Sequence, residues 1–208
     1  VWKCGDDQVG YATPYPFTFN DQRYVVGFMG NAILIAEMKT GREVWRMPWK
    51  TAWDVNAAMP VFHDGHLFVT SGYETGAGLF KLSADGDKLS ATQVWKSDVL
   101  LTKFQSAILH NGKLYASDQN ALKCVDFLTG KEVWSVPRIK NGTMLLADGH
   151  FILLTEQGQL QIADVSATQF NPITKVSILD GRCWSLPVLH QGRLYARNLD
   201  RIVCLDLR

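Results

Sequence analysis

The feature of this sequence that most constrains its fold is a short motif that returns at a nearly regular spacing. An apolar or turn residue, a turn glycine and an apolar–aromatic pair occur as HDGHLF, HNGKLY, ADGHFI and HQGRLY, with turn glycines at Gly65, Gly112, Gly149 and Gly192. A degenerate copy, NDQRYV, is aligned with Gln22 at the position of the glycine, so successive copies lie 37 to 47 residues apart. A period of this size indicates repeats that are each one supersecondary unit.

A second motif ends the repeat. It reads TGREVW at 40–45 and TGKEVW at 129–134, with a looser QVW at 93–95 and an opening VW at 1–2. Each repeat divides into four short segments rich in β-branched and aromatic residues, and no stretch keeps a 3.6-residue period. In the third repeat the segments are Ser106–Leu109, Lys113–Ser117, Ala121–Asp126 and Glu132–Val136. Four strands in each repeat predict an all-β chain of β-propeller blades with essentially no helix.

The repeat register predicts a single propeller region over 1–208, with about four whole blades and two part-blades. The predicted blades are 1–5 (last strand only), 14–47, 57–97, 105–137, 143–179 and 185–208 (incomplete). Two arrangements are open. Val1–Lys3 could pair with the strand near Ile202–Leu207 and close a five-bladed ring, or the blades form an incomplete arc of a larger propeller. An arc leaves unpaired strand edges that a closed ring would remove.

Composition excludes some partners. The chain carries 21 Lys and Arg against 20 Asp and Glu, a net charge of +1, which supplies no basic field for nucleic acid. The longest apolar runs are about five or six residues, far short of the roughly 20 that a membrane helix needs. Four cysteines lack the close pairing of a zinc site, and Cys124 and Cys204 occupy matching repeat positions that we expect to be buried.

The run CVDFLTGKEVW resembles the tryptophan-docking motif of quinoprotein-like propellers, with Asp126, Gly130 and Trp134 in its positions. IAEMKTGREVW matches it too, with Glu37 as the acid, followed by Gly41 and Trp45. In that family the tryptophan of one blade docks on its neighbour. The resemblance therefore implies that Trp45, Trp95 and Trp134 are largely buried in fourth strands near contacts between blades.

Essentially the whole chain resembles the C-terminal half of PQQ-binding-like β-propeller repeat proteins. This resemblance favours the arc over the closed ring, because such relatives carry further blades upstream. They divide into quinoprotein alcohol dehydrogenases and non-enzymatic scaffolds such as the BamB-type outer-membrane assembly lipoproteins, so the fold alone cannot choose. The dehydrogenases hold PQQ with a calcium ion, and many place a vicinal Cys–Cys disulfide against the cofactor. This sequence has no Cys-Cys pair, and the candidate oxygen ligands Asp54, Asn56 and Glu156 are scattered singly.

The histidines do not indicate a metal site. Three of the five histidines share one repeat position beside the hairpin turn, which separates them by a blade or more; the five are His63, His66, His110, His150 and His190. We therefore predict no catalytic, cofactor-binding or metal-binding residues, and PQQ and calcium enter only under the dehydrogenase alternative.

The loops that enter the innermost strand of each blade carry the candidate binding residues, because propellers place function on such loops. They are WDVN at 53–56, LTKFQS at 101–106, RIKNGT at 138–143 and GRCWS at 181–185. The residues with binding chemistry in them are Trp53, Asp54, Asn56, Lys103, Phe104, Lys140, Asn141, Arg182 and Trp184. Packing of Trp53 and Trp184 between blades is the competing interpretation.

The sequence therefore favours a non-enzymatic binding or scaffolding propeller of the bacterial cell envelope, with a protein or peptide partner and no membrane span. Periplasmic or envelope localisation follows from the resemblance alone. The alternatives are a PQQ-dependent dehydrogenase and the sensor propeller of a larger receptor or kinase.

Overall fold

The structure of the chain is a computed structural model that describes residues 1–86 and 88–208. The described residues form strands and a single 3₁₀ turn, Ala52–Asp54, with no α-helix among them. The all-β prediction is confirmed. The strands are β1 (Tyr15–Phe19), β2 (Gln22–Phe28), β3 (Ala32–Glu37), β4 (Glu43–Pro48), β5 (Val61–His63), β6 (His66–Ser71), β7 (Gly76–Asp85), β8 (Lys88–Ser97), β9 (Ile108–His110), β10 (Lys113–Ser117), β11 (Ala121–Asp126), β12 (Glu132–Pro137), β13 (Thr143–Ala147), β14 (His150–Leu154), β15 (Gln159–Asp164), β16 (Pro172–Ser177), β17 (Val188–His190), β18 (Arg193–Arg197) and β19 (Ile202–Asp206).

The strands pair in chain order into five antiparallel sheets. Four sheets have four strands each, β1–β4, β5–β8, β9–β12 and β13–β16, and the fifth has β17–β19. A four-stranded up-and-down sheet that repeats along the chain is the blade of a β-propeller. The predicted strands of the third blade agree closely with β9–β12, and the largest difference is a β9 that begins at Ile108 rather than Ser106.

Two-residue turns join the first two strands of each sheet. In four of them both central residues have positive φ, as a type I′ turn requires, and the second is the predicted glycine; the pairs are Asp64–Gly65, Asn111–Gly112, Asp148–Gly149 and Gln191–Gly192. In the degenerate copy the turn is Asn20–Asp21, with φ of 48° and 60°, and Gln22 already begins β2. The prediction that Gln22 occupies the turn was therefore wrong by one residue, because Asn and Asp also tolerate the left-handed region.

The third and fourth strands of the four-stranded sheets share a further feature, a register shift at equivalent places: Ile35/Ala36, Leu79/Phe80, Cys124/Val125 and Ile162/Ala163. Gly41 and Gly130 lie in the turns that follow β3 and β11, with φ of 75° and 67°. β7 and β8 instead form a hairpin of ten-residue strands.

The chain forms two compact units. Unit 1 comprises Val1–Ala107 with Phe127–Lys131, and unit 2 comprises Ile108–Asp126 with Glu132–Arg208. The core of unit 1 contains apolar side chains of β1–β3 and β6–β8 together with the fully buried Trp49. Unit 2 has one cluster around Tyr115, Leu122, Cys124 and Phe151 and two smaller ones nearer β15, β18 and β19.

Trp45, Trp95 and Trp134, the tryptophans of the fourth strands, are partly buried. Within unit 1, the indole N–H of Trp95 donates to the carbonyl of Phe127 at 2.9 Å, and that of Trp2 donates to the carbonyl of Met38 at 3.0 Å. Each carbonyl lies three residues before a turn glycine, Gly130 or Gly41, whose Cα faces the indole ring. Trp45 and Trp134 contact aromatic rings, with centroid distances of 6.2 Å to Phe80 and 6.0 Å to Tyr115, and the Trp95 ring is also 5.8 Å from that of Phe68.

The fifth sheet agrees with the predicted open arc and contradicts the predicted burial of Cys204. In the described part of the chain β19 pairs only with β18, so the ladder with residues 1–4 that a five-bladed ring requires is not formed. Cys124 is fully buried, as predicted, but Cys204 is exposed. The reason is that Cys204 lies on the outer strand of a three-stranded sheet, where no fourth strand lies beside it among the described residues.

Candidate functional site

The predicted binding residues lie in loops at the same end of their respective sheets. An up-and-down sheet brings the loop before its first strand and the loop between its second and third strands to the same edge, here called the loop edge. In unit 1 the loop edge includes residues 49–60, 72–75 and 98–107. In unit 2 it consists of residues 118–120, 138–142, 155–158, 178–187 and 198–201.

Trp53 is the most exposed large apolar side chain of the unit 1 loop edge. It is 83% exposed and has a φ of 71°, and the adjacent Asp54 has a φ of 54°. The left-handed region disfavours a bulky side chain by about 1–2 kcal/mol. Because Trp53 is exposed, packing between blades does not explain why a tryptophan occupies this position.

Lys103 and Phe104 lie in the next loop, and both are half-buried. The Lys103 ammonium lies 5.6 Å from the ring centroid of Tyr73, in the loop between β6 and β7. This is cation–π distance. Tyr73 and Glu74 repeat the pattern of Trp53 and Asp54, an aromatic residue followed by an acid with both φ values positive.

Asn56 does not lie on the surface as predicted. Its side chain is fully buried, and its amide N–H groups donate to the carbonyls of Met29 at 2.7 Å and Trp49 at 3.1 Å. Its carbonyl oxygen accepts the Ser71 hydroxyl at 2.7 Å. Asn56 therefore joins loops of the scaffold and offers no free oxygen atom to a cation.

Three predicted residues of unit 2, Asn141, Arg182 and Trp184, come together around Glu156. The indole N–H of Trp184 donates to Glu156 Oε1 at 2.6 Å, and the Asn141 amide donates to Glu156 Oε2 at 3.3 Å. Glu156 lies in the loop between β14 and β15, so it links the loop that precedes β13 to the loop that precedes β17.

Arg182 lies over the face of Trp184, with its guanidinium carbon 4.3 Å from the ring centroid. Trp184 is 39% exposed, so its indole is partly packed and partly open to solvent. Lys140 is exposed beside the largely buried Asn141. We call Asn141, Glu156, Arg182 and Trp184 the Glu156 cluster.

Two of the three candidate oxygen ligands, Asn56 and Glu156, make hydrogen bonds within the fold. No group of three or more His, Cys, Asp or Glu side chains that could hold a metal ion occurs among residues 1–86 and 88–208. Both carboxylate oxygens of Glu156 already accept hydrogen bonds, and the Asn56 amide is committed within the fold. The histidines lie at or beside hairpin turns, where His150 Nε2 is 3.1 Å from Asp164.

No helix in the described residues is long and apolar enough to cross a membrane.

Comparison with known proteins supports the fold. No protein-family model matches the chain, and no curated protein matches it. BamB from Moraxella catarrhalis matches 97% of this chain over 59% of its own, with a TM-score of 0.67 and 14% identity. The computationally designed Ika8 protein covers 87% of this chain and 54% of its own, with a TM-score of 0.61 and 10% identity. The match to Sqt1 of Saccharomyces cerevisiae covers 89% of this chain and 57% of the Sqt1 chain, with a TM-score of 0.62 and 9% identity.

These likenesses define the class: the chain is built of β-propeller blades, and it spans about three fifths of the BamB chain that it matches. Identities of 9–14% establish the fold alone.

Two residues of the loop edges do not follow from the sequence alone. The sequence indicates Glu156 only as an isolated oxygen ligand, and it does not single out Tyr73. The signal for Tyr73 was its place between two strands, directly before an acid, as Trp53 stands before Asp54.

Proposed function

We propose that this chain is a non-enzymatic propeller that binds a protein partner through its loop edges, of the BamB-type or PQQ-like repeat kind. The observation that carries the proposal is Trp53, which is 83% exposed on left-handed backbone. An exposed indole and a positive φ are both unfavourable in the free protein. Tryptophan is also among the residues most enriched at the energetic centres of interfaces.

The scaffold beneath the loops suits this function. Asn56, fully buried, connects the Trp53 loop to the loop after β2 by hydrogen bonds, so the Trp53 loop is held by the sheet. A binding group on a rigid support loses less entropy when its partner arrives. We also assign the Trp2 and Trp95 contacts to tryptophan docking, a structural role that leaves the loop edges free for binding.

The same proposal places the protein in the bacterial envelope without a redox cofactor. The likeness to BamB supports envelope localisation, and the engagement of Asn56 and Glu156 within the fold disfavours a PQQ–calcium site. Titration of PQQ with calcium should give no stoichiometric absorbance change. A tight complex with alcohol-dependent dye reduction would restore the dehydrogenase alternative, and fractionation of producing cells tests the localisation.

Photocrosslinking tests the binding function. A benzoylphenylalanine at position 53 should form a discrete adduct with a partner protein in cells that produce the protein naturally. Position 64 is a matched control, because Asp64 is also exposed with a positive φ but lies at the opposite end of β5. Equal adducts from both positions, or none from position 53, would refute the proposed function.

A further inference from the structure

Arg182 is an exposed arginine whose N–H donors are unused. Its guanidinium lies over the ring of Trp184, and its side chain makes no hydrogen bond or ion pair among residues 1–86 and 88–208. A guanidinium over an aromatic face still has its planar set of N–H donors for a ligand. That geometry suits bidentate pairing with a carboxylate.

The ring beneath Arg182 is itself held in place. Trp184 donates to Glu156 at 2.6 Å, Asn141 donates to the other oxygen of Glu156, and the backbone N–H of Cys183 donates to the Glu156 carbonyl at 2.9 Å. Three hydrogen bonds therefore orient the platform before any ligand arrives. Glu156 accepts hydrogen bonds from Trp184 and Asn141, and no ion pair joins it to Arg182 in the described residues.

Cationic side chains outnumber surface carboxylates at the unit 2 loop edge. Its loops carry four cationic residues, Arg138, Lys140, Arg182 and Arg201, and a fifth, Arg197, ends β18. Their surface carboxylates are Glu156, Asp180 and Asp200. Glu156 is hydrogen-bonded, and Asp180 lies 3.9 Å from Arg201. Asp118 in this edge is buried and paired with Lys123 at 3.0 Å. An incoming acid therefore meets little repulsion.

Exposed apolar side chains also lie in the loops of the unit 2 loop edge. Leu186 is 56% exposed in the loop that carries Arg182, and Leu199 is 71% exposed in the loop after β18. We propose that the unit 2 loop edge recognises an acidic, amphipathic peptide segment of a partner, with Arg182 pairing its carboxylate. This deepens the proposed function and rests on it. A nucleic-acid strand would supply anionic groups but no apolar side chains for the leucines.

The test uses the 208-residue chain and fluorescein-labelled, capped eight-residue peptides. One alternates glutamate and leucine, and a second replaces every glutamate with glutamine. Fluorescence anisotropy should show binding of the glutamate peptide alone, weakening as salt is raised. Arg182→Ala should weaken binding about tenfold to a hundredfold. Arg182→Lys should weaken binding less than Arg182→Ala, because lysine keeps the positive charge. Some loss should remain, since lysine cannot donate two parallel hydrogen bonds to one carboxylate.

Arg193→Ala is the matched control, since Arg193 is an exposed arginine of the same unit at the opposite end of β18. It should bind within about twofold of the parent, as surface substitutions elsewhere have small effects. Three results would overturn the proposal. They are no binding of the glutamate peptide, equal affinity for the glutamate and glutamine peptides, or an equal loss of affinity in Arg182→Ala and Arg193→Ala. Tighter binding of single-stranded oligo-dT than of the peptide would also overturn it, in favour of nucleic acid.

The outcomes separate this inference from the function on which it rests. An adduct from position 53 without acidic-peptide binding would leave partner binding standing and refute acid recognition by Arg182. Peptide binding that depends on Arg182, without an adduct from position 53, would refute the role of Trp53 and retain the carboxylate site.

Discussion

A methyl group added at Gly130 should disturb the Trp95 contact in a measurable way. A Cβ there would lie 2.6 Å from Trp95 Cδ2, whereas carbon atoms pack best at about 3.5–4.0 Å. The indole must therefore move by about 1 Å, which weakens its hydrogen bond to Phe127. Gly130 also has a φ of 67°, so Gly130→Ala adds backbone strain of about 1–2 kcal/mol.

Gly112→Ala provides the control for that strain. Gly112 has a φ of 72° in a turn of the same sheet, and nothing lies within 4 Å of an added Cβ. It should lower the free energy of unfolding by the strain alone, about 1–2 kcal/mol. Overpacking adds about 1–3 kcal/mol, so Gly130→Ala should lower it by about 2–5 kcal/mol.

Urea unfolding followed by circular dichroism measures both variants. The indole fluorescence of Gly130→Ala should also shift, because Trp95 leaves its contact. Equal destabilisation by the two substitutions would refute the conclusion that Gly130 is required for a close approach of Trp95.

Three further predictions concern side chains whose burial or exposure decides the outcome. Asn56→Ala should lower the free energy of unfolding by about 3 kcal/mol in urea titrations, because buried groups then lose several hydrogen bonds. Asn171→Ala, at an exposed position, should change that free energy little. Trp53→Asn should leave that free energy within about 0.5 kcal/mol of the parent or raise it, and a loss above 2 kcal/mol would show that the indole is structural. Cys204 should react rapidly with Ellman's reagent at pH 8, whereas Cys124 should react only after unfolding. Burial raises the pKa of the Cys124 thiol and excludes the reagent, so equal rates for the two cysteines would contradict the difference in burial.

The blades could be predicted because their signals are local. Asn-Gly and Asp-Gly turns favour positive φ wherever they occur, and strand alternation follows from neighbouring residues. For this reason Lys113–Ser117 and Ala121–Asp126 were predicted with their observed bounds. The error at Gln22 arose where the local signal was weakest, in the copy that lacks a glycine.

The binding residues were predictable as a group of loops but not as individuals. Asn56 and Trp53 stand three residues apart in one loop, yet one is fully buried and the other 83% exposed. Burial of Asn56 depends on carbonyls of Met29 and Gly30, far away in the sequence. No local pattern contains that information.

By itself, therefore, the sequence determined the strands, their order and the blade repeat, since turn chemistry and side-chain alternation act over a few residues. Only the tertiary structure decided that Glu156 joins Asn141 to Trp184, that Arg182 lies on the resulting platform, and that Cys204 is exposed. These properties arise from contacts between segments tens of residues apart. Such contacts form only when the blade has brought those loops to one edge.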